Sequence, residues 1–291
     1  MNEIVYKDYS QTDLDAEYNN QAKVADFLSY MKEGAALCAT ARKEYPDIKT
    51  ICFDDASGQY LDIVYPKDRT NRPYPVQVFI HGGYWKALSK ENFTFVARAF
   101  AEYGIATVIV DYQLIPKVTM DELVRQCRQS LAYLHRNASD LDLDPADIHI
   151  SGHSAGGHLV AMCMGTDWSE FGEDLPVQII KSGVGISGLY NLLPINLCYL
   201  QKDLKLDGAT VKHNSPIHLK PPLEGNLHLT LGGLEGEEYL DQSTAMKNAW
   251  PNRTAEPIVL APYNHFSIVN SLADPTSALS TLIRRAMGHP E

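Results

Sequence analysis

A chain of 291 residues with 45% hydrophobic content carries enough apolar material for one large α/β core, and no run approaches the roughly eighteen consecutive apolar residues of a membrane helix. The formal net charge of −11 opposes attraction to nucleic acid and to anionic membranes, and no Lys/Arg cluster offsets it. Cys38, Cys52, Cys127, Cys163 and Cys198 are odd in number and never in C-x-x-C spacing, which argues against a disulfide framework and a zinc site; with no signal-peptide pattern at the start, a cytoplasmic protein with reduced, buried thiols is expected.

Residues 1–20 are polar and show little periodicity. Val24, Phe27, Leu28, Met31, Ala35 and Cys38 then recur at helical spacing, so residues 1–45 read as a helical extension docked on the main body. From residue 50 the pattern changes to short β-rich runs at 50–53, 61–65 and 76–80, separated by Asp/Ser/Gly and Pro loops. A helix around 92–103, a strand at 105–110, a helix over 119–137, a strand at 148–150 and a helix over 157–164 are expected next. After a strand at 182–187 comes a segment at 188–225 punctuated by Pro194, Pro216, Pro221 and Pro222; connections of this length usually serve a site, and it reads as a cap. A strand at 227–231, a helix at 241–250, a strand at 258–260 and a helix from about residue 275 to 287 complete the chain. Regular alternation of strand and helix predicts right-handed crossovers and a mostly parallel sheet covered by helices on both faces, with residues 1–291 forming a single domain.

The stretch Gly152-His153-Ser154-Ala155-Gly156 stands between the strand at 148–150 and the helix at 157–164. A strand that ends in G-x-S-x-G and passes straight into a helix has the form of a nucleophile elbow: small residues on either side let the chain turn sharply and hold the Ser154 hydroxyl at the sheet edge. The Ala155 N–H then falls at a helix N-terminus, where it can donate to a developing oxyanion. Composition alone gives three such fixed positions in roughly one chain in ten. The pentapeptide therefore draws its weight from the strand-to-helix setting and from the His81-Gly82-Gly83 run upstream.

A serine hydroxyl needs a base within reach and an acid to orient that base, and after an elbow of this kind the chain order is Ser, Asp or Glu, then His. His265, in the loop that leaves the last strand, is the expected base. His158, one turn into the elbow helix, is expected to pack or cap locally. His228 lies within a strand, His289 close to the C-terminus, and His213 and His218 in the Pro-punctuated segment. Glu235 comes soonest after the 227–231 strand and has glycines on both sides, so it is the expected acid. Glu237 and Glu238 are expected to begin the next helix, and Asp241 is a more distant rival. His81-Gly82-Gly83-Tyr84-Trp85 follows the strand at 76–80 directly, where the N–H groups of Gly83 and Tyr84 would join Ala155 in an oxyanion hole. Trp85 reads as a wall of the substrate pocket or as core.

His81 to Trp85, Asp111-Tyr112-Gln113-Leu114-Ile115-Pro116, Gly152 to Leu159, Glu238-Tyr239-Leu240-Asp241-Gln242-Ser243 and His265-Phe266 together resemble the kynurenine formamidase (arylformamidase) branch of the α/β-hydrolases, related to hormone-sensitive-lipase-like carboxylesterases. The resemblance spans most of the chain from the first helix onward. It implies that the family's nucleophile falls on Ser154, its base on His265 and its acid on Glu235, where many members carry Asp. The activity it implies is hydrolysis of a small N-acyl arylamine such as N-formylkynurenine through an acyl-enzyme. The chemistry requires no metal or organic cofactor, and the partner is a small-molecule amide or ester. A short-chain carboxylesterase is the alternative. A ligand-binding protein that has lost catalysis is disfavoured, because all three triad residue types are present.

Overall fold

The structure is a computed structural model that describes residues 3–68, 70 and 72–289. Eight strands make one sheet: β1 (Lys49–Asp54), β2 (Gln59–Val64), β3 (Tyr74–Ile80), β4 (Ala106–Val110), β5 (Leu143–His153), β6 (Ser182–Ile186), β7 (Asn226–Gly232) and β8 (Ile258–Leu260). Their order in space is β8-β7-β6-β5-β3-β4-β2-β1. Only β2 runs against its neighbours; the other pairings are parallel. Each parallel pair requires a crossover, so the loops leaving β3, β5, β6, β7 and β8 all emerge at one edge. This is an α/β-hydrolase sheet.

Six longer helices accompany it among the described residues: α1 (Gln11–Tyr18), α2 (Phe27–Glu44), α3 (Met120–Arg136), α4 (Ala155–Met164), α5 (Glu237–Ala249) and α6 (Ala278–Met287). Alternation along the strands divides the core in two. Val76, Val78 and Ile80 pack with residues of α1, α3, α4 and α5, whereas Phe79, Ile109, Val184 and Ile186 pack with residues of α2 and α6. Both faces are therefore covered. No helix among the described residues is long and apolar enough to cross a membrane. All five cysteines are free; Cys52 is half-buried and the other four are buried.

The structure departs from the sequence reading in two places and agrees with it on the residues that begin α5. The helix expected at 92–103 is three short 3-10 segments, Lys90–Asn92, Thr94–Ala99 and Ala101–Tyr103. Phe93 to Ala97 are buried without interruption, so the segment has no polar face to present to water and its shape is set by packing rather than by amphipathic periodicity. Residues 3–20 are ordered: the hairpin Ile4–Tyr6 and Tyr9–Ser10 leads into α1, where Ser10 and Asp13 cap each other reciprocally. α5 starts at Glu237, with Glu237 and Glu238 in its first turn.

The start of α3 matches the sequence reading closely, with the Thr119 hydroxyl accepting from the Glu122 N–H at 3.2 Å. Thr119→Ala leaves that N–H without its cap and is expected to lower the unfolding free energy by about 1 kcal/mol, measured by urea titration. A change within error would show that the cap contributes nothing.

Candidate active site

β5 ends at His153, and α4 begins at Ala155 with a single residue between them. Ser154 makes the turn with φ 58°, a left-handed conformation that is uncommon for a residue with a side chain. A Cβ at Gly156 would overlap the carbonyl oxygen of Ile80, and one at Gly152 would overlap that of Gly156, so the flanking glycines are required by backbone approach. The Ser154 N–H donates to the Ile186 carbonyl at 2.8 Å, which ties the elbow to β6.

Glu235 lies in the loop after β7, and its buried carboxylate accepts three hydrogen bonds. Oε1 accepts from the Gly232 N–H and the Ser187 hydroxyl, both at 2.6 Å, and Oε2 pairs with His265 Nδ1 at 2.7 Å. A buried carboxylate is tolerated when its lone pairs are satisfied in this way. The contact with Nδ1 fixes the ring orientation of His265 and leaves Nε2 free of Glu235. Ser154 and His265 line the same cavity of about 470 Å³, together with Gly83 and Tyr84. Ser187, at the end of β6 with φ 51°, was missed in the sequence, where it is only the last residue of a strand.

The oxyanion-loop candidates follow β3 in a run of left-handed residues: Gly83 at φ 107°, Tyr84 at 48° and Trp85 at 57°. For non-glycine residues such conformations cost about 1–3 kcal/mol each and persist only where surroundings fix them. Here the fixings are explicit. The Tyr112 hydroxyl donates to the His81 carbonyl at 2.8 Å and its ring stacks on the His81 imidazole. The Trp85 indole N–H donates to His158 Nδ1 at 3.1 Å. Trp85 is fully buried and is absent from the cavity wall, so the reading of Trp85 as a pocket wall is corrected: its ring is held in the core by the bond to His158.

His158 passes its other nitrogen, Nε2, to the Asn214 carbonyl at 2.7 Å. It is thus a neutral imidazole that donates on one side and accepts on the other, with burial holding its pKa down at about 4. Among the other rivals, His213 is exposed, and His289 bonds the Asp147 carboxylate. Glu238 is buried against Lys7 and Tyr18, and Asp241 pairs with Lys7. His153, beside the elbow serine, stands 4.5 Å from the His265 ring, and burial followed by that neighbouring imidazole pushes its pKa well down. Asp147, His149 and His289 lie close enough to ligate a metal ion, but the Asp147 carboxylate already takes the Lys181 ammonium at 2.7 Å. They form an ion-pair cluster, away from the cavity.

Aromatic side chains recur around the cavity wall. α2 contributes Phe27 and Tyr30, the buried 3-10 region Phe93 and Phe95, the 188–225 segment Tyr199, and the loop after His265 Phe266. Among the described lining residues the charged side chain is Lys86, which is paired with Asp203.

A family profile described as BD-FAE matches residues 61–191. The chain is 30% identical to kynurenine formamidase of Salmo salar, covering 91% of this chain and 89% of that one. It is 28% identical to kynurenine formamidase of Danio rerio, covering 90% and 88%. The chain belongs to the kynurenine formamidase family. As a member of this family of α/β-hydrolases it is a hydrolase. Among solved structures, a putative thioesterase from Silicibacter sp. TM1040 superimposes with a TM-score of 0.81 at 27% identity, covering 93% of this chain and 98% of that chain. The carboxylesterase EstE1, from a metagenomic library, shares the fold with a TM-score of 0.71 at 18% identity, covering 90% and 96%.

Because burial holds the His158 pKa below its unfolded value, that depression is a stability term. The unfolded chain takes up this proton near pH 6.5 and the folded chain at about 4, so the stabilisation is complete above pH 6.5 and declines as pH falls toward 4. Subtracting a His158→Gln variant from the wild type should expose a slope of up to about 1.4 kcal/mol per pH unit in that window, read by urea unfolding at several pH values. Parallel profiles would contradict a neutral His158.

Proposed function

We propose that this protein is a serine hydrolase that cleaves a small formamide-type arylamine, such as N-formylkynurenine, through an acyl-enzyme on Ser154. The observation that carries the reading is the meeting of the elbow serine and the Glu235-anchored His265 on one aromatic-walled cavity. In the proposed cycle His265 Nε2 takes the Ser154 proton as Oγ bonds to the acyl carbon. The N–H groups of Gly83, Tyr84 and Ala155 receive the resulting oxyanion. Collapse breaks the C–N bond, His265 returns the proton to the departing arylamine, and water repeats the attack to release the acid and restore the serine. Glu235 holds the ring by Nδ1 and stabilises the imidazolium that forms.

The aromatic wall favours a flat arylamine leaving group, which stacks at little entropic cost. The curated relatives named kynurenine formamidase, matched along nearly their whole length, support the same substrate class. A second reading, a short-chain carboxylesterase, has a fold relative of that name in EstE1; the machinery is the same and the bond cleaved is C–O.

Ser154→Ala is expected to cut kcat by about 10⁴ or more with folding unchanged. Glu235→Gln is expected to cut it by about 10³–10⁴ through loss of ring orientation and charge. Both are measured by steady-state hydrolysis with circular dichroism as the folding control, and residual wild-type turnover in Ser154→Ala would end the serine mechanism. The ratio of kcat/KM for N-formylkynurenine to that for 4-nitrophenyl acetate separates the two substrate readings: a ratio above unity is expected, and one far below it selects the esterase.

A further inference from the structure

The N-terminal segment reaches into the site. Asn20, just past the end of α1, is buried and lines the cavity. Its Nδ2 donates to the Tyr84 hydroxyl at 3.0 Å and to the Tyr239 hydroxyl at 2.5 Å. The Tyr84 hydroxyl donates onward to the Tyr18 carbonyl at 2.7 Å and lies 3.0 Å from the Tyr239 hydroxyl. Both carboxamide protons are thus used on the two phenols. This sets the orientation of the amide, and Oδ1 is left buried without a partner among the described residues. No other neutral side chain of this length carries two protons on one atom.

The two phenols, 3.0 Å apart at their hydroxyls, belong to two different parts of the candidate site. Tyr84 is one of the left-handed residues of the oxyanion loop, and the Tyr239 ring packs 4.9 Å from the His265 ring. We propose that Asn20 is a positioning residue for acyl transfer: by bonding Tyr84 and Tyr239 at once, it holds the oxyanion loop in its left-handed form and in register with the base. The inference rests on the serine-hydrolase reading above. It assigns the N-terminal segment a part in turnover beyond covering apolar surface, and Asn20 acts through its two phenol partners without touching the reacting atoms.

The test compares Asn20→Leu, Tyr84→Phe and their double variant in hydrolysis of 4-nitrophenyl acetate, and in inhibition by a trifluoromethyl ketone that forms a tetrahedral adduct with an active serine. Asn20→Leu is expected to lower kcat about tenfold or more, with KM within about twofold. The ketone's inhibition constant should rise by the factor that kcat/KM falls, and the double variant should fall little below the weaker single one. A raised KM at unchanged kcat, unchanged kinetics throughout, or fully multiplicative losses would overturn the assignment. If Asn20→Leu does not fold, Tyr84→Phe and Tyr239→Phe, which keep their rings, decide by the same split between kcat and KM. A wild type that is inactive, or whose activity survives Ser154→Ala, removes the hydrolase mechanism and this inference together. Ser154-dependent activity that is indifferent to the network removes only the inference.

Discussion

The close approach of Gly156 to the Ile80 carbonyl is the constraint on which the site depends. β3 and β5 are adjacent and in register, with Ile80 opposite Gly152, so the chain leaving one strand must clear the chain leaving the other. Only a residue without a Cβ fits between them. That clearance brings the loop beginning at His81 and the turn at Ser154 side by side, from strands separated by a whole crossover in sequence. The parallel sheet supplies the rest: Ser187, Glu235 and His265 follow β6, β7 and β8 at the same edge, where α/β folds gather their ligands. A groove at this edge is a consequence of topology; the chemistry inside it depends on which side chains those loops carry.

The loops are held in costly conformations by hydrogen bonds from backbone and side chain alike. Ser154, Ser187, Tyr84 and Trp85 all have positive φ, and each is tied to something rigid. Ser154 N–H bonds β6, Ser187 N–H bonds the Thr230 carbonyl on β7, Trp85 bonds His158 on α4, and Tyr84 bonds the N-terminal segment. Donors fixed in advance are worth most where charge develops during reaction, because nothing must reorganise at that moment. The strain and the bonds that oppose it therefore form one arrangement, and the bonds come from elements remote in sequence.

This explains what was legible in the chain and what was not. The local signals are direct: short β-rich runs bounded by turn residues mark every strand of the sheet, the helix pattern of α3 starts at Thr119, and the glycines around Ser154 mark a sharp turn. The hairpin at 4–10 and α1 carry no such signal, since a hairpin of two- and three-residue strands is too short to show periodicity and α1 is polar apart from Ala16 and the fully buried Leu14 and Tyr18. Their order comes from tertiary contacts, with Tyr18 bonded to Glu238 and Gln242 on α5. Trp85 is ambiguous for a similar reason: its position beside the loop at 81–84 points to the cavity, and only the partner on α4 shows that its ring turns inward. The buried 3-10 region at 94–99 looked helical because apolar residues at short spacing suit either period.

The use of glutamate rather than the shorter aspartate at 235 also fits this geometry. A longer side chain must find room for its extra methylene without moving the carboxylate away from His265. The room exists at Gly232: a Cβ there would stand 2.9 Å from Glu235 Oε1 and would overlap the Tyr263 carbonyl. With no side chain at 232, Oε1 settles against the Gly232 N–H and the Ser187 hydroxyl while Oε2 reaches Nδ1 of His265. Three donors satisfy the buried carboxylate and fix its position, so that one oxygen stays on Nδ1 of His265. Gly232, Ser187 and Glu235 are thus coupled: any change that gives residue 232 a side chain displaces the carboxylate, and with it the orientation of His265.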